Sequence, residues 1–182
     1  EELGGQVVRL GHQTDKRVPD HPSIIDLSKL EDSLLTQIVA ISRSRFFISS
    51  CSGPITFGPG FGVPTAATNN IDISGVWNDH DIILTKRIFG PNGNIYQQKS
   101  ALDAGFLKPG QWRWVNKPDS GYRYIDNTSD EIRHVAELLF NKTENCPRWR
   151  ENDIRPSPQT KTQLPFPLAP SVKQKAFVEI PF

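Results

Sequence analysis

The chain has 182 residues, 36% of them hydrophobic, and its 21 Lys and Arg against 20 Asp and Glu give a formal net charge of +1. That length supports one compact domain with a sizeable core and is short for two, and the balanced charge gives no reason to expect the broad basic surface of a sequence-independent nucleic-acid binder. No apolar run approaches the roughly 20 residues of a membrane-spanning helix, and Cys51 and Cys146 lack Cys or His neighbours at metal-ligand spacing, so no zinc site or disulfide scaffold is indicated and a reducing compartment is the default.

Methionine is absent, and a strand-like run follows directly after Gly5; both lead to the expectation that the sequence opens within a fold, as a fragment or processed part of something longer. Gln6-Val7-Val8-Arg9-Leu10, closed by Gly11, reads as a strand entering a polar loop. Ser23 to Leu27 is a second short apolar run. Asp32 offers an N-cap oxygen, and Leu34, Leu35, Ile38, Val39 and Ile41 follow at helical spacing, which predicts a helix over residues 33–43 with one apolar face on a sheet. Arg45 to Ser49 reads as a buried strand. Ser50-Cys51-Ser52-Gly53-Pro54 then makes a small turn, with Pro placed to start a helix over Ile55 to Phe61 that Gly58, Pro59 and Gly60 interrupt. Val63 to Thr68 is extended and ends at Asn69-Asn70, completing the strand, turn, helix, strand order of a βαβ unit.

Ile82-Ile83-Leu84 is a further strand with Lys86-Arg87 at its exit. Residues 90–121 read as irregular, with a strong turn at Pro91-Asn92-Gly93-Asn94 and with Trp112 and Trp114 alternating across Arg113 as in a strand. Thr128 and Glu131 form a capping box ahead of Ile132, Val135, Ala136, Leu138 and Leu139, which predicts a helix over about 129–141. Beyond Cys146, Pro147, Pro156, Pro158, Pro165, Pro167, Pro170 and Pro181 punctuate a stretch without apolar periodicity, so residues 147–182 read as an extended tail or linker after a domain spanning 1–146.

Several residues stand out chemically. The turn Ser49 to Thr56 combines small hydroxyl residues with Gly53 at a helix start, where backbone N–H groups and the positive end of a helix dipole suit a diphosphate; a tight turn with a Ser N-cap explains it equally well. It matches neither a Walker A sequence nor a Gly-x-Gly-x-x-Gly fingerprint. Arg9 lies at the carboxyl end of the first strand, where open α/β sheets place ligand-binding groups, and a guanidinium grips phosphate in bidentate fashion. His12, Asp15, Lys16 and Arg17 follow on the adjacent loop. Lys86 and Arg87 are further bases that could face phosphate. Asp126, Asn127 and Glu131 are explained by capping, and one of Trp112 and Trp114 is free to stack on a sugar. Asn127-Thr128-Ser129 and Asn141-Lys142-Thr143 fit the glycosylation sequon.

Taken in order, Val7-Val8-Arg9-Leu10-Gly11, Ile24-Ile25-Asp26-Leu27, Arg45 to Pro54, Gly62-Val63-Pro64, Asn69, Leu84-Thr85-Lys86 and Asp126 to Ile132 resemble a family of bacterial glycosyltransferases of surface-polysaccharide loci, over about residues 4–141. The resemblance implies one half of a GT-B architecture: a Rossmann-like open parallel sheet with flanking helices, forming the C-terminal, donor-holding domain of a cytoplasmic enzyme peripheral to the inner membrane. The implied substrates are a nucleotide-sugar donor and a glycan acceptor, with no metal and no cofactor beyond the donor itself. It further implies an N-terminal acceptor domain outside this sequence, which commonly carries the catalytic base, so no catalytic residue is assigned. The donor-binding set it implies is Arg9, His12, Ser50, Ser52, Gly53, Thr56, Asn69 and Lys86; Cys51 departs from the Thr or Asp expected in related turns. A noncatalytic carbohydrate-binding or scaffolding module and a GT-B-type nucleotide-sugar epimerase are the alternatives.

Overall fold

The computed structural model describes residues 4–144 apart from 13–14, 17, 32, 74–77 and 109. The expected N-cap Asp32, the loop residue Arg17, Cys146 and the tail over 147–182 therefore lie outside the described residues. In chain order the elements are β1 (Val7–Arg9), β2 (Ile24–Asp26), α1 (Leu34–Arg43), β3 (Phe47–Ser50), α2 (Phe57–Gly60), β4 (Thr65–Asn70), β5 (Ile82–Thr85), β6 (Arg87–Phe89), β7 (Ile95–Tyr96), α3 (Gln98–Asp103), α4 (Trp112–Val115), β8 (Arg123–Ile125) and α5 (Ser129–Thr143). The fold is mixed α/β, built from two small parallel sheets and one antiparallel sheet.

Among the described residues β1 pairs with β2 alone, in parallel, with Arg9 beside Asp26. The second sheet has the order β3-β4-β5, also parallel, with Phe47 beside Thr65 and Ala66 beside Ile82. The expected single open sheet is thus divided between β1 and β3. The third sheet, β7-β6-β8, is antiparallel; β7 falls within residues 90–121, which read as irregular, and β6 and β8 flank that stretch without being expected as strands.

Alternation along β3, β4 and β5 sends one set of side chains to each face. Ala66, Ile82 and Leu84 meet Val135 and Leu139 of α5, with Phe46, Ile48 and Leu138 packed around them. Each such Leu or Ile contributes about 1.5–3 kcal/mol on full burial. The opposite face carries Phe47 and Thr65, against which Gly58 packs so closely that a Cβ there would collide with the Thr65 hydroxyl and lie 3.1 Å from Phe47 Cδ1. The helix expected over 55–61 is instead a 3-10 turn over Gly53–Thr56 followed by the four residues of α2; Gly58, Pro59 and Gly60 give it little propensity to extend.

The antiparallel sheet has its own core of Ile88, Ala101, Leu107 and Val115. Trp112 and Trp114 belong to the short α4 rather than to a strand. Trp114 stacks on Phe106 at 5.7 Å and contacts the Tyr122 ring at 4.8 Å, while Tyr96 meets Phe106 edge-on at 5.1 Å. Aromatic packing, not alternation, sets the backbone here.

α5 carries the expected capping box: Glu131 N–H donates to Thr128 Oγ1 at 3.2 Å and Thr128 N–H donates to Glu131 Oε2 at 2.6 Å. It starts beside the carboxyl ends of β4 and β5, where Asn127 N–H donates to Asn69 Oδ1 at 2.6 Å, Asn69 N–H donates to Asn127 Oδ1 at 2.5 Å and Asn127 Nδ2 donates to Thr85 O at 2.9 Å. It ends beside the start of β3, where the Arg45 guanidinium donates to Phe140 O at 2.8 Å and to Thr143 Oγ1 at 2.9 Å. α5 therefore runs opposite to the strands. No described helix is long and apolar enough to cross a membrane.

Candidate functional site

A cleft of about 2310 Å³ opens between β1 and β3, lined by both strands, by the loop after β1, by the turn after β3 and by residues of α1 and α5. Four of the eight residues in the expected donor-binding set line it: Arg9, His12, Ser50 and Ser52. Each comes from the carboxyl end of a parallel strand or the loop that follows, the position at which open α/β sheets bind ligands.

Arg9 is the most constrained of the four. Its Nη1 donates to Asp26 Oδ1 at 3.0 Å, to Asp26 Oδ2 at 3.2 Å and closely to the Ser28 hydroxyl, and its Nη2 donates to Lys16 O at 2.8 Å. Ser28 Oγ donates in turn to Asp26 Oδ1 at 2.6 Å, and Ser28 N–H does so at 3.1 Å. The Ser28 hydroxyl first, and then the Arg9 guanidinium, hold the Asp26 carboxyl below the usual aspartate range against the opposing effect of burial. Arg9, expected to grip phosphate, is partly buried and is held in an internal ion pair with Asp26. Sequence reading left Asp26 and Ser28 unassigned, although facing positions at the ends of two adjacent strands were the available signal.

The loop after β1 is similarly ordered by its own side chains. Gly11 sits at φ 145°, His12 N–H donates to Asp15 Oδ2 at 2.7 Å, and Asp15 N–H donates back to His12 O at 2.9 Å. Gln37 of α1 clamps Gly11 from both sides, donating from Nε2 to its carbonyl at 2.8 Å and accepting its N–H on Oε1 at 3.0 Å. Gln37 is a positioning residue that the sequence reading missed, because a polar residue on an amphipathic helix carries no distinct pattern.

At the other wall, Ser50 and Ser52 are exposed, and the Ser52 backbone is extended with no capping bond from its side chain. Gly53 and Thr56 belong to the 3-10 turn next to them, where Thr56 Oγ1 donates to Gly53 O at 2.9 Å. A turn this short sums far fewer aligned peptide dipoles than a full helix, so the expected anion site at a helix start is reduced to the turn itself. Cys51 is an exposed free thiol.

Asn69 and Lys86 form a separate group at the ends of β4 and β5. Asn69 adopts φ 52° and is held by Asn127, and Lys86 Nζ pairs with Asp126 Oδ1 at 2.6 Å. Arg87 donates to Asp126 O at 3.3 Å. These contacts give Asn69 and Lys86 structural partners, and neither residue lines the cleft. Among the described residues, no three or more His, Cys, Asp or Glu side chains are gathered closely enough to hold a metal ion. Comparison with protein-family models finds no match, and no match is found among curated proteins or solved structures.

Proposed function

We propose that the chain is the donor-binding part of a glycosyltransferase that moves a sugar from a nucleotide-sugar to a glycan acceptor in bacterial surface-polysaccharide synthesis, its parallel strands forming the Rossmann-like half of a GT-B pair. The observation that carries the reading is the convergence of Arg9, His12, Ser50 and Ser52 on one cleft at the carboxyl ends of the parallel strands. In this reading an acceptor hydroxyl, losing its proton to a base, forms a bond to the anomeric carbon of the sugar as the bond from that carbon to the diphosphate breaks and the nucleoside diphosphate leaves. The hydroxyls and amides of the Ser50–Gly53 turn face the developing negative charge. Arg9 acts as a positioning residue that fixes the loop bearing His12 through Lys16 O and Asp26, while Lys86 reaches the diphosphate only by exchanging Asp126 for it. The base that activates the acceptor belongs to the partner domain.

The test is a thermal-shift titration of the full-length protein with UDP, GDP, CDP, CMP and dTDP. A ligand that binds only the folded state stabilises it by about 2.7 kcal/mol at one hundred times its Kd, so a selective, saturating rise in Tm names the base. Ser52→Val should weaken that response about tenfold, as expected for loss of roughly one hydrogen bond to a charged group. Absence of a shift with every nucleotide, together with binding to a glycan that Trp112→Ala abolishes, would instead establish the carbohydrate-binding module.

A further inference from the structure

We propose that the cleft is the seat of one more β-strand, apolar on both faces and running parallel between β1 and β3, and that this strand belongs to polypeptide preceding Glu1. Among the described residues β1 is hydrogen-bonded to a neighbour on one edge only, and so is β3; the cleft is lined by both. On this proposal the two strands point the same way. Gln37, in the first turn of α1, is bonded to Gly11 just past the end of β1, and the rest of α1 runs about 9 Å before the chain reaches Arg45 and the start of β3. A strand set between them in the same direction meets two parallel edges.

The slot is also covered above and below. Ala40 and Ile41 of α1 line it on one side, and Ala136 and Phe140 of α5 on the other. α2, which neighbours α1, packs on the Phe47 face, while α5 covers the Ile48 face, so an inserted strand lies between two helical layers as a central parallel strand does. Uncovered apolar surface marks the same place: Val7 is 63% exposed and Val8 39%, and consecutive strand residues point to opposite faces. The volume, about 2310 Å³, exceeds the roughly 300–1,000 Å³ of small-molecule pockets and has room for a strand of about five residues with part of a connecting helix.

No described strand of a second copy suits the slot: each is already paired along at least one edge, whereas the slot demands a strand free on both. A strand ahead of Glu1 satisfies this, and consecutive elements of a parallel sheet are usually neighbours joined by right-handed crossovers. The β2-to-β3 crossover lies on the α1 side and moves toward β3, so a right-handed return from the slot to β1 lies on the other side, beside Arg133 and Glu137. The carboxyl end of the inserted strand emerges between Arg9 and Ser50, which leaves the candidate site incomplete without it. The inference holds whether or not that site takes a nucleotide-sugar.

Hydrogen–deuterium exchange on the 182-residue chain and on its natural full-length polypeptide tests it. The expected result is exchange slowed about tenfold or more in the full-length protein at residues 7–9 and 47–50, with little change at Val135 and Leu139. Equal exchange in both proteins overturns the proposal. So does protection already present in the 182-residue chain, whether abolished by truncation after Glu144 or by dilution, since the occupant is then the chain's own C-terminal segment or a second copy. A reading frame that opens at Glu1 overturns it outright. If the 182-residue chain does not fold, nuclear Overhauser contacts in the full-length protein decide: Val8 and Ile48 must both reach backbone preceding Glu1, and direct pairing of β1 with β3 refutes the slot.

Discussion

At the end of β1 the Arg9 guanidinium donates to both carboxylate oxygens of Asp26, the residue beside it on β2. The sequence marks Arg9 as a strand-end charge between Val8 and Leu10, which implies partial burial and a need for a counter-ion. That need is met inside the fold by Asp26, its lateral neighbour on β2, because parallel register is set by long-range packing that no local pattern records. The pair has a pH signature. Folding lowers the Asp26 pKa, so the unfolded chain binds the proton more readily, and the stabilisation is complete above the ordinary aspartate value and lost as pH falls through the lower folded-state value. Asp26→Asn should therefore lower the urea midpoint at neutral pH and flatten its decline below about pH 4, measured by urea melts across the acid range. Arg9→Ala should lower the neutral-pH midpoint while Asp26 titrates closer to its ordinary value.

Among the elements, those with strong periodicity were legible and those held by nonlocal packing were not. α1 and α5 announce themselves by apolar spacing and β1, β3 and β5 by short apolar runs, β2 is visible only as an apolar run and β4 as an extended run of small residues, and the Thr128–Glu131 box fixes the start of α5 to the residue. Thr128→Ala should cost about 1 kcal/mol in the urea midpoint, and Glu131→Gln less, since the amide can still accept the Thr128 N–H. Residues 90–121 contain elements of only two to six residues whose conformation follows the Tyr96, Phe106, Trp114 and Tyr122 rings, so their backbone could not be read from propensity. α2 is an intermediate case. Its glycines signal close packing, but only the fold shows that Gly58 abuts Thr65 and Phe47. Gly58→Ala should destabilise by about 1–3 kcal/mol through overpacking, and adding Thr65→Ser, which frees the methyl and lets the hydroxyl turn away, should recover part of that loss in a double-mutant cycle.

Across the whole molecule, apolar cover is uneven. The β3-β4-β5 sheet and α5 share a closed core, whereas Leu34, Leu35 and Val39 of α1 join Val7 and Val8 as exposed apolar side chains. The α/β class was legible because strands and helices alternate; the division of the sheet was not, because strand order is a property of the assembled chain. Leu139→Ala should destabilise by about 2–5 kcal/mol and lower the cooperative transition, while the β1-β2-α1 segment of the 182-residue chain should open at lower free energy than α5 in native-state exchange. The clasp of Asn69 with Asn127 bears on where such a molecule can be made. Asn127 heads an Asn-Thr-Ser sequon, yet its Nδ2, the atom a glycan would occupy, is donated to Thr85 O inside the fold. Oligosaccharide attached there during passage through a secretory lumen would arrive before the clasp closes and hold β4 and β5 away from the start of α5. Material secreted from a glycosylating host should carry sugar on Asn127 by mass spectrometry and melt several degrees below the cytoplasmic product, about as expected for the loss of one or two hydrogen bonds, so the cell's sorting decision becomes a folding decision.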